Sequence, residues 1–151
     1  MKHNHYRSLL IMTLLSFAAM YILMYAMVNT FGDVYNSLNE FYMAGLMTAP
    51  MVLIELLVMG GMYENKRLNI ILISISAAAL LLFFLFIRGQ SAVSDRQFLR
   101  SMIPHHSGAI LMCEQADIKD TEIVELCRTI IAGQQAEIDQ MKKILDRLEE
   151  R

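Results

Sequence analysis

The chain has 151 residues, of which 56% are hydrophobic, and its formal net charge is -2. This composition is too apolar for an ordinary soluble domain. The small net charge gives no electrostatic reason to expect a nucleic-acid partner. We therefore expect a protein whose main partner is membrane lipid.

Three apolar segments account for the excess of hydrophobic residues, at about residues 9–28, 41–62 and 68–87. Each is near the ~20 residues that an α-helix needs to cross a bilayer. The sequence predicts an all-α fold, with three transmembrane helices in residues 1–88 and an extramembrane domain in residues 89–151. The first segment also fits a signal peptide, but its apolar run is long and no small-x-small cleavage site follows Val28.

The basic residues predict an orientation. Four of them lie before the first segment and in the second loop, at Lys2, Arg7, Lys66 and Arg67. The first loop carries no lysine or arginine. By the positive-inside rule, the N-terminus is cytoplasmic and the C-terminal domain is extracytoplasmic. Three arginines after the third segment weakly favour the opposite orientation: Arg88, Arg96 and Arg100.

The extramembrane domain has the pattern of two helices. Ser94 and Gln97 have the spacing of a capping box at the start of the first. Asp120 is placed to cap a second helix that extends to about Leu148. Pro104 either kinks the first helix or begins it. A turn this short predicts an antiparallel hairpin.

The helical periodicity of about 100° per residue places the candidate ligands of both helices at one interface. On the first helix, one face carries Met102, His106, Ala109 and Cys113, with His105 and Met112 on its flank. On the second, one face carries Cys127, Gln134, Ile138, Met141 and Leu145, with Glu137 at its edge. Folding the chain at residues 119–120 predicts these opposed pairs: Cys113 with Cys127, His106 with Gln134, and Phe98 with Met141.

The residue types at this interface indicate a soft metal. Thioether, imidazole and thiol groups are the ligands that favour Cu(I) and Ag(I) over harder ions. Because a two-helix hairpin buries little core by itself, we expect a homodimer or higher homo-oligomer that completes a four-helix bundle, or packing against the membrane helices.

Two motifs resemble a known bacterial family: Met102-Ile-Pro-His-His-x-x-Ala-Ile-x-Met112 and Ile130-Ile-Ala-x-Gln134-x-x-Glu137-Ile-x-x-Met141. This is the family called domain of unknown function 305, and the resemblance covers about residues 94–145. It implies a ferritin-like helical bundle, usually exported, with copper or silver binding and copper tolerance in some members. The ligands that it implies are Met102, His105, His106, Met112, Glu137 and Met141. Gln134 is a further candidate.

Cys113 and Cys127 depart from the family pattern, which usually has alanine at both positions. Three interpretations stay open: a disulfide, a pair of Cu(I) ligands, or small apolar residues that fill the interface. The resemblance does not choose between them.

The second apolar segment carries a row of Met43, Met47, Met51, Glu55 and Met59 at intervals of four residues. One interpretation is that methionine simply packs well in a bilayer. The other is a copper relay, which Glu55 favours because an ionisable residue within a membrane span is costly. Glu55 could also hydrogen-bond Ser74 or Ser76 on the third segment, or reach water.

These patterns lead to a function hypothesis and its alternatives. The first is a non-enzymatic Cu(I) or Ag(I) protein of the bacterial inner membrane, which sequesters or transfers metal in the periplasm, with copper export or chaperone proteins as partners. The alternative is a structural protein whose hairpin mediates oligomerisation without metal. A di-metal oxidase is disfavoured because the chain lacks the Glu-x-x-His motif of such sites.

Overall fold

The computed structural model describes residues 5–150, which form five α-helices and no β-strand. The helices are α1 (His5–Leu23), α2 (Leu38–Val58), α3 (Lys66–Gly89), α4 (Asp95–Gln115) and α5 (Thr121–Glu149). Short 3-10 helices lie at Met24–Met27, Phe31–Asp33 and Gly60–Met62. The predicted all-α fold is confirmed. Lys2, which enters the orientation prediction, lies outside the described residues.

Three helical stretches are long and apolar enough to cross a membrane: His5–Met27, Leu38–Val58 and Lys66–Gly89. Each begins within about one helical turn of its predicted start. The second ends earlier than predicted, at Val58, because Gly60 and Gly61 follow and the chain turns there in a 3-10 helix. Asn65 caps the third, since its side chain accepts a hydrogen bond from the Leu68 amide.

The described chain divides into two compact units. The first contains the described residues through Met24, together with Asn39–Ser91. One of its cores is a cluster of buried residues, Leu9, Val52, Leu56 and Tyr63. The Tyr6 hydroxyl donates a hydrogen bond of 2.7 Å to the Asn69 side chain. This bond ties α1 to α3 at the end of the unit where both helices begin.

The helix α2 presents a buried face of small residues, Ala44, Gly45, Thr48 and Ala49. A Cβ atom added at Gly45 would lie 2.4 Å from the Phe83 ring. Small residues allow close helix packing in membrane proteins, where burial from water provides no driving force between helices. Gly45 is therefore required for the approach of α2 and α3.

Replacing Gly45 by alanine should destabilise the protein, although glycine to alanine in a helix normally favours the helix by about 1 kcal/mol. The new methyl group must displace the Phe83 ring, and such overpacking costs about 1–3 kcal/mol. The measurement is the thermal unfolding midpoint of the full chain in detergent. Gly61→Ala is the matched control, because no atom lies within 4 Å of a Cβ built there. An unchanged or raised midpoint for Gly45→Ala would contradict the packing argument.

The second unit contains Tyr25–Leu38 together with the described residues from Ala92 onwards. We call Tyr25–Leu38 the connector, because it joins α1 to α2. Ser94 occupies the N-cap position of α4, but its side chain makes no capping hydrogen bond. The predicted capping box is wrong, because the Gln97 side chain instead accepts a hydrogen bond of 2.9 Å from the Leu38 amide of the connector.

The helices α4 and α5 form the predicted antiparallel hairpin. Asp120 caps α5 as expected, since its carboxylate accepts hydrogen bonds from the Glu122 and Ile123 amides. Helix α4 continues through Pro104, so the interpretation that a helix begins at this proline is wrong. At the end of the hairpin away from the turn, Arg100 on α4 and Glu149 on α5 form an ion pair of 2.7 Å.

The hairpin core is a cluster of six buried residues: Leu99, Ile103, Ile110, Ile138, Met141 and Leu145. The predicted pairing of Phe98 with Met141 is wrong, since Phe98 is 50% exposed and Leu99 takes its place in the core. Tyr35 of the connector also packs on this cluster. Compared with the prediction, the buried face of α4 is rotated by about one residue, because the connector covers one side of this helix.

A disulfide joins Cys113 and Cys127, whose Cα atoms are 5.3 Å apart. Of the three interpretations of these cysteines, the structure supports the disulfide. The bond closes a loop with a sequence separation of 14 residues around the hairpin turn. It fixes the pairing of α4 and α5 at the end where the core cluster does not reach.

The double variant Cys113→Ser/Cys127→Ser should lower the free energy of unfolding by about 3 kcal/mol, since a loop of this length loses that much closure entropy in the unfolded state. Chemical denaturation of the full chain in detergent measures the effect. Adding a reductant to the wild type should reproduce it and should leave the double variant unchanged. Equal stability of the oxidised wild type and the variant would contradict the cross-link.

Candidate functional site

His106 lies at the centre of the interface between α4 and α5 and is 8% exposed. Its Nδ1 atom is 2.9 Å from the carbonyl oxygen of Met102, one turn earlier in α4. A carbonyl oxygen only accepts, so Nδ1 carries the hydrogen and donates it. The other ring nitrogen, Nε2, is directed towards α5. Metal-binding histidines use the same arrangement, with one ring nitrogen donating to a backbone carbonyl.

Glu137 on α5 meets this nitrogen. Its Oε2 atom lies 2.7 Å from Nε2 of His106. The sequence predicted Gln134 opposite His106, and this pairing is wrong at the level of the side chains. Glu137 lies at the edge of the interface, where its side chain is 58% exposed, and its charged carboxylate suits a contact with the ring nitrogen.

Met102 and Met141 bring two thioethers to the same interface. Met102 is partly buried and packs on the core cluster that contains Met141, which is 8% exposed. Met102 precedes His106 by four residues, and Met141 follows Glu137 by four, so each methionine lies one helical turn from a member of the pair. Four of the six residues that the family resemblance implied as ligands, Met102, His106, Glu137 and Met141, therefore lie along the interface between α4 and α5.

Gln134 contributes an unusual feature. Its Oε1 atom is buried and makes no hydrogen bond. An amide oxygen buried without a partner costs about 1–3 kcal/mol of desolvation. Gln134 lies one turn before Ile138 of the core cluster. The interface therefore has an acceptor oxygen that the described protein atoms do not satisfy.

The remaining candidate ligands lie elsewhere. His105 is exposed, and Met112 is 54% exposed. They are seven residues apart and so share another face of α4, away from the core cluster. Cys113 and Cys127 are joined to each other, so their sulfurs are not free thiolates. Within residues 5–150, no three His, Cys, Asp or Glu side chains lie together as a group that could hold a metal ion.

The candidate relay lies in the first unit. Glu55 accepts a hydrogen bond of 3.0 Å from the Tyr63 hydroxyl, so the proposed bond to Ser74 or Ser76 is wrong. Met43 and Met47 are 38% and 46% exposed on α2, Met51 is partly buried, and Met59 is 38% exposed. A copper relay along this row stays a prediction.

A polar cluster centred on Asp33 in the connector was not predicted from the sequence. Asp33 is 5% exposed, and it accepts hydrogen bonds from Lys142 and Ser107, each of 2.6 Å, and from Thr30 at 3.0 Å. Burial alone raises the pKa of this carboxyl, but the three hydrogen bonds and the charge of Lys142 outweigh it, so the pKa lies below its ordinary value. A short loop between two membrane helices carries no motif that would identify such a residue.

The pH dependence of stability should show this cluster. Since the pKa of Asp33 is lowered on folding, its stabilising contribution is complete above the unfolded value of 3.8 and is lost as the pH falls through the folded pKa. Unfolding midpoints of the full chain should drop as the pH falls below about 4, and Asp33→Asn should flatten that drop. Asp117→Asn serves as the control, because Asp117 pairs with Lys119 at an exposed site. Identical acid profiles for Asp33→Asn and the wild type would contradict this assignment.

Comparisons with known proteins place this arrangement in a family. Residues 86–145 match the family described as domain of unknown function (DUF305). An uncharacterized protein, L153, of Acanthamoeba polyphaga mimivirus is 38% identical over 141 residues, which cover 91% of this chain and 91% of that protein. No solved structure matches the chain.

The two comparisons cover different parts of the molecule. The family match contains α4 and nearly all of α5, and it confirms the resemblance predicted from the two motifs. The match to the mimivirus protein covers 91% of the chain, so it extends across the apolar helices as well. The combination of apolar helices and C-terminal hairpin is therefore shared with a relative. The chain belongs to the DUF305 family.

Proposed function

We propose that this protein is a membrane-anchored binding protein for Cu(I), and also for Ag(I), that sequesters or transfers the metal without catalysing a reaction. The observation that carries the proposal is the contact of His106 with Glu137 at the interface of α4 and α5, where Met102 packs on the core cluster that contains Met141.

The donors at this interface fit a soft ion. Two thioethers and one imidazole are the ligand types that Cu(I) prefers, whereas a single carboxylate is too few for most divalent ions. The Met102 carbonyl orients the ring so that Nε2 faces the interface. Met102, His106 and Met141 would hold the metal. The proton shared by Nε2 of His106 and Glu137 would leave when Nε2 binds the metal, and Glu137 would then orient the ring or add a carboxylate ligand.

An extracytoplasmic location supports this role. Disulfides such as Cys113–Cys127 persist mainly in oxidising compartments. The connector packs with α4 and α5 in one unit, and three membrane crossings would put these parts on the same side. The basic residues Arg7, Lys66 and Arg67 favour a side opposite the cytoplasm, against the weaker opposite signal of the arginines after the third apolar segment. On this proposal the site receives metal outside the cytoplasm, and export or chaperone proteins are its exchange partners.

A structural role is the second candidate, and one observation favours it. The second unit exposes large apolar side chains near the disulfide, at Met112, Ile123 and Leu126, each between 48% and 56% exposed. Such residues commonly mark a contact between subunits. A protein of this kind would form a stable homo-oligomer whose formation is indifferent to copper.

The double variant Met102→Leu/Met141→Leu tests the metal proposal. Leucine keeps the volume of methionine and costs less than about 1.5 kcal/mol in a core, but it removes both thioethers. We expect the affinity of the full chain for Cu(I) to fall by at least about tenfold, which corresponds to 1.4 kcal/mol. Anaerobic titration in detergent against a chromophoric chelator measures it.

Met62→Leu is the control, because Met62 is an exposed thioether in the turn before α3. Its affinity for Cu(I) should equal that of the wild type. Unchanged affinity in Met102→Leu/Met141→Leu would remove the assignment of this site. A wild type that binds no Cu(I) but forms a stable oligomer would favour the structural candidate.

A further inference from the structure

The connector lies along the whole ligand-bearing part of α4. Near its start, the Asn29 side chain donates to Glu114 at 3.1 Å, and at its end the Leu38 amide donates to Gln97 at 2.9 Å. Just before Asn29 its backbone approaches α4 closely, since a Cβ added at Gly108 would lie 3.3 Å from the Met27 carbonyl oxygen. A chain segment with this many contacts is a structural layer of the domain rather than a loose loop.

Asp33 is the point where this layer joins both helices of the hairpin. Its Oδ2 accepts from the Ser107 hydroxyl, and its Oδ1 accepts from the Lys142 ammonium, each at 2.6 Å. Ser107 is fully buried and also accepts a hydrogen bond of 2.8 Å from the Asn29 amide. The Ser107 hydroxyl therefore both donates a hydrogen bond to the connector and accepts one from it.

The two residues that Asp33 holds are the direct neighbours of two proposed ligands. Ser107 follows His106 on α4, and Lys142 follows Met141 on α5. A single buried carboxylate thus links the two helices immediately beside the place where their ligands meet. Short, charge-assisted hydrogen bonds of this kind set geometry more firmly than apolar contacts, which tolerate sliding.

We propose that Asp33 is a positioning residue for the metal site, which fixes the separation and rotation of α4 and α5 through Ser107 and Lys142 so that the ligands on the two helices can bind one ion. This inference rests on the proposed function. It adds that the site belongs to a domain of three chain segments, and that the C-terminal hairpin alone lacks one of them.

The test uses the full chain in detergent and compares Asp33→Asn, Ser107→Ala and Asp117→Asn. Asp33→Asn removes the charge but keeps the shape, and Ser107→Ala removes one link and leaves the Asp33–Lys142 pair. Asp117→Asn breaks a matched Asp–Lys pair that is 3.0 Å long and exposed to solvent. Cu(I) affinity is measured at a temperature well below the unfolding midpoint of every variant, and X-ray absorption reports the sulfur ligands of the bound copper.

We expect Asp33→Asn to weaken Cu(I) binding by about tenfold and to reduce the sulfur scattering, as loss of a residue that orients metal ligands does. Ser107→Ala should act in the same direction, and Asp117→Asn should leave both readouts unchanged. A variant that loses only thermal stability, with wild-type affinity and sulfur scattering, overturns the inference. If Asp33→Asn does not fold, Ser107→Ala decides, and wild-type binding in that variant overturns it.

The two proposals fail in different ways. If the wild type binds copper and Met102→Leu/Met141→Leu does not, while Asp33→Asn binds normally, the positioning role is wrong and the proposed function stands. If the wild type binds no copper, the proposed function fails and the positioning role fails with it.

Discussion

The C-terminal domain is constrained by the fact that two helices cannot enclose a core between them. A hairpin of α4 and α5 has one shared interface, and each helix leaves most of its surface open. Two features stabilise the hairpin at different places along its length. The disulfide Cys113–Cys127 holds the turn end, and the connector, anchored by Asp33, covers the part where the core cluster lies. The remaining features of the domain depend on this arrangement.

The candidate site lies where the apolar core gives way to polar side chains. The apolar core contains Ile103, Ile138 and Leu145. At the edge of the interface, His106 on α4 contacts Glu137 on α5. Met102 and Met141 each lie one helical turn from a member of this pair along their own helix. A soft ligand set in a mostly apolar surrounding is suited to a monovalent ion, because little charge has to be removed from water when the ion binds.

Much of the architecture could be predicted because it depends on local patterns. The three apolar segments, the cap at Asp120 and the hairpin follow from length, periodicity and one turn residue. The sequence predicted that Phe98 faces the core, but Leu99 does so instead. The predicted buried face of α4 was therefore wrong by about one residue. That error has a physical cause, because the connector buries a second side of α4 and shifts which residues are inside.

The connector itself could not be predicted from local signals. Asp33 sits in a loop of mixed composition, more than a hundred residues before its partner Lys142. Such a long-range polar contact depends on the tertiary fold and leaves no periodic trace in the sequence. The same holds for Gln97, whose spacing from Ser94 indicated a cap and whose side chain instead binds the Leu38 amide.

The most direct measurement of the central claim is X-ray absorption on the full-length protein loaded with Cu(I) in detergent under anaerobic conditions. The account predicts copper bound by both sulfur and imidazole nitrogen, with the Cys113–Cys127 disulfide intact, so that the sulfur comes from methionine. Copper surrounded only by oxygen and nitrogen, or bound only after the disulfide is reduced, would contradict it.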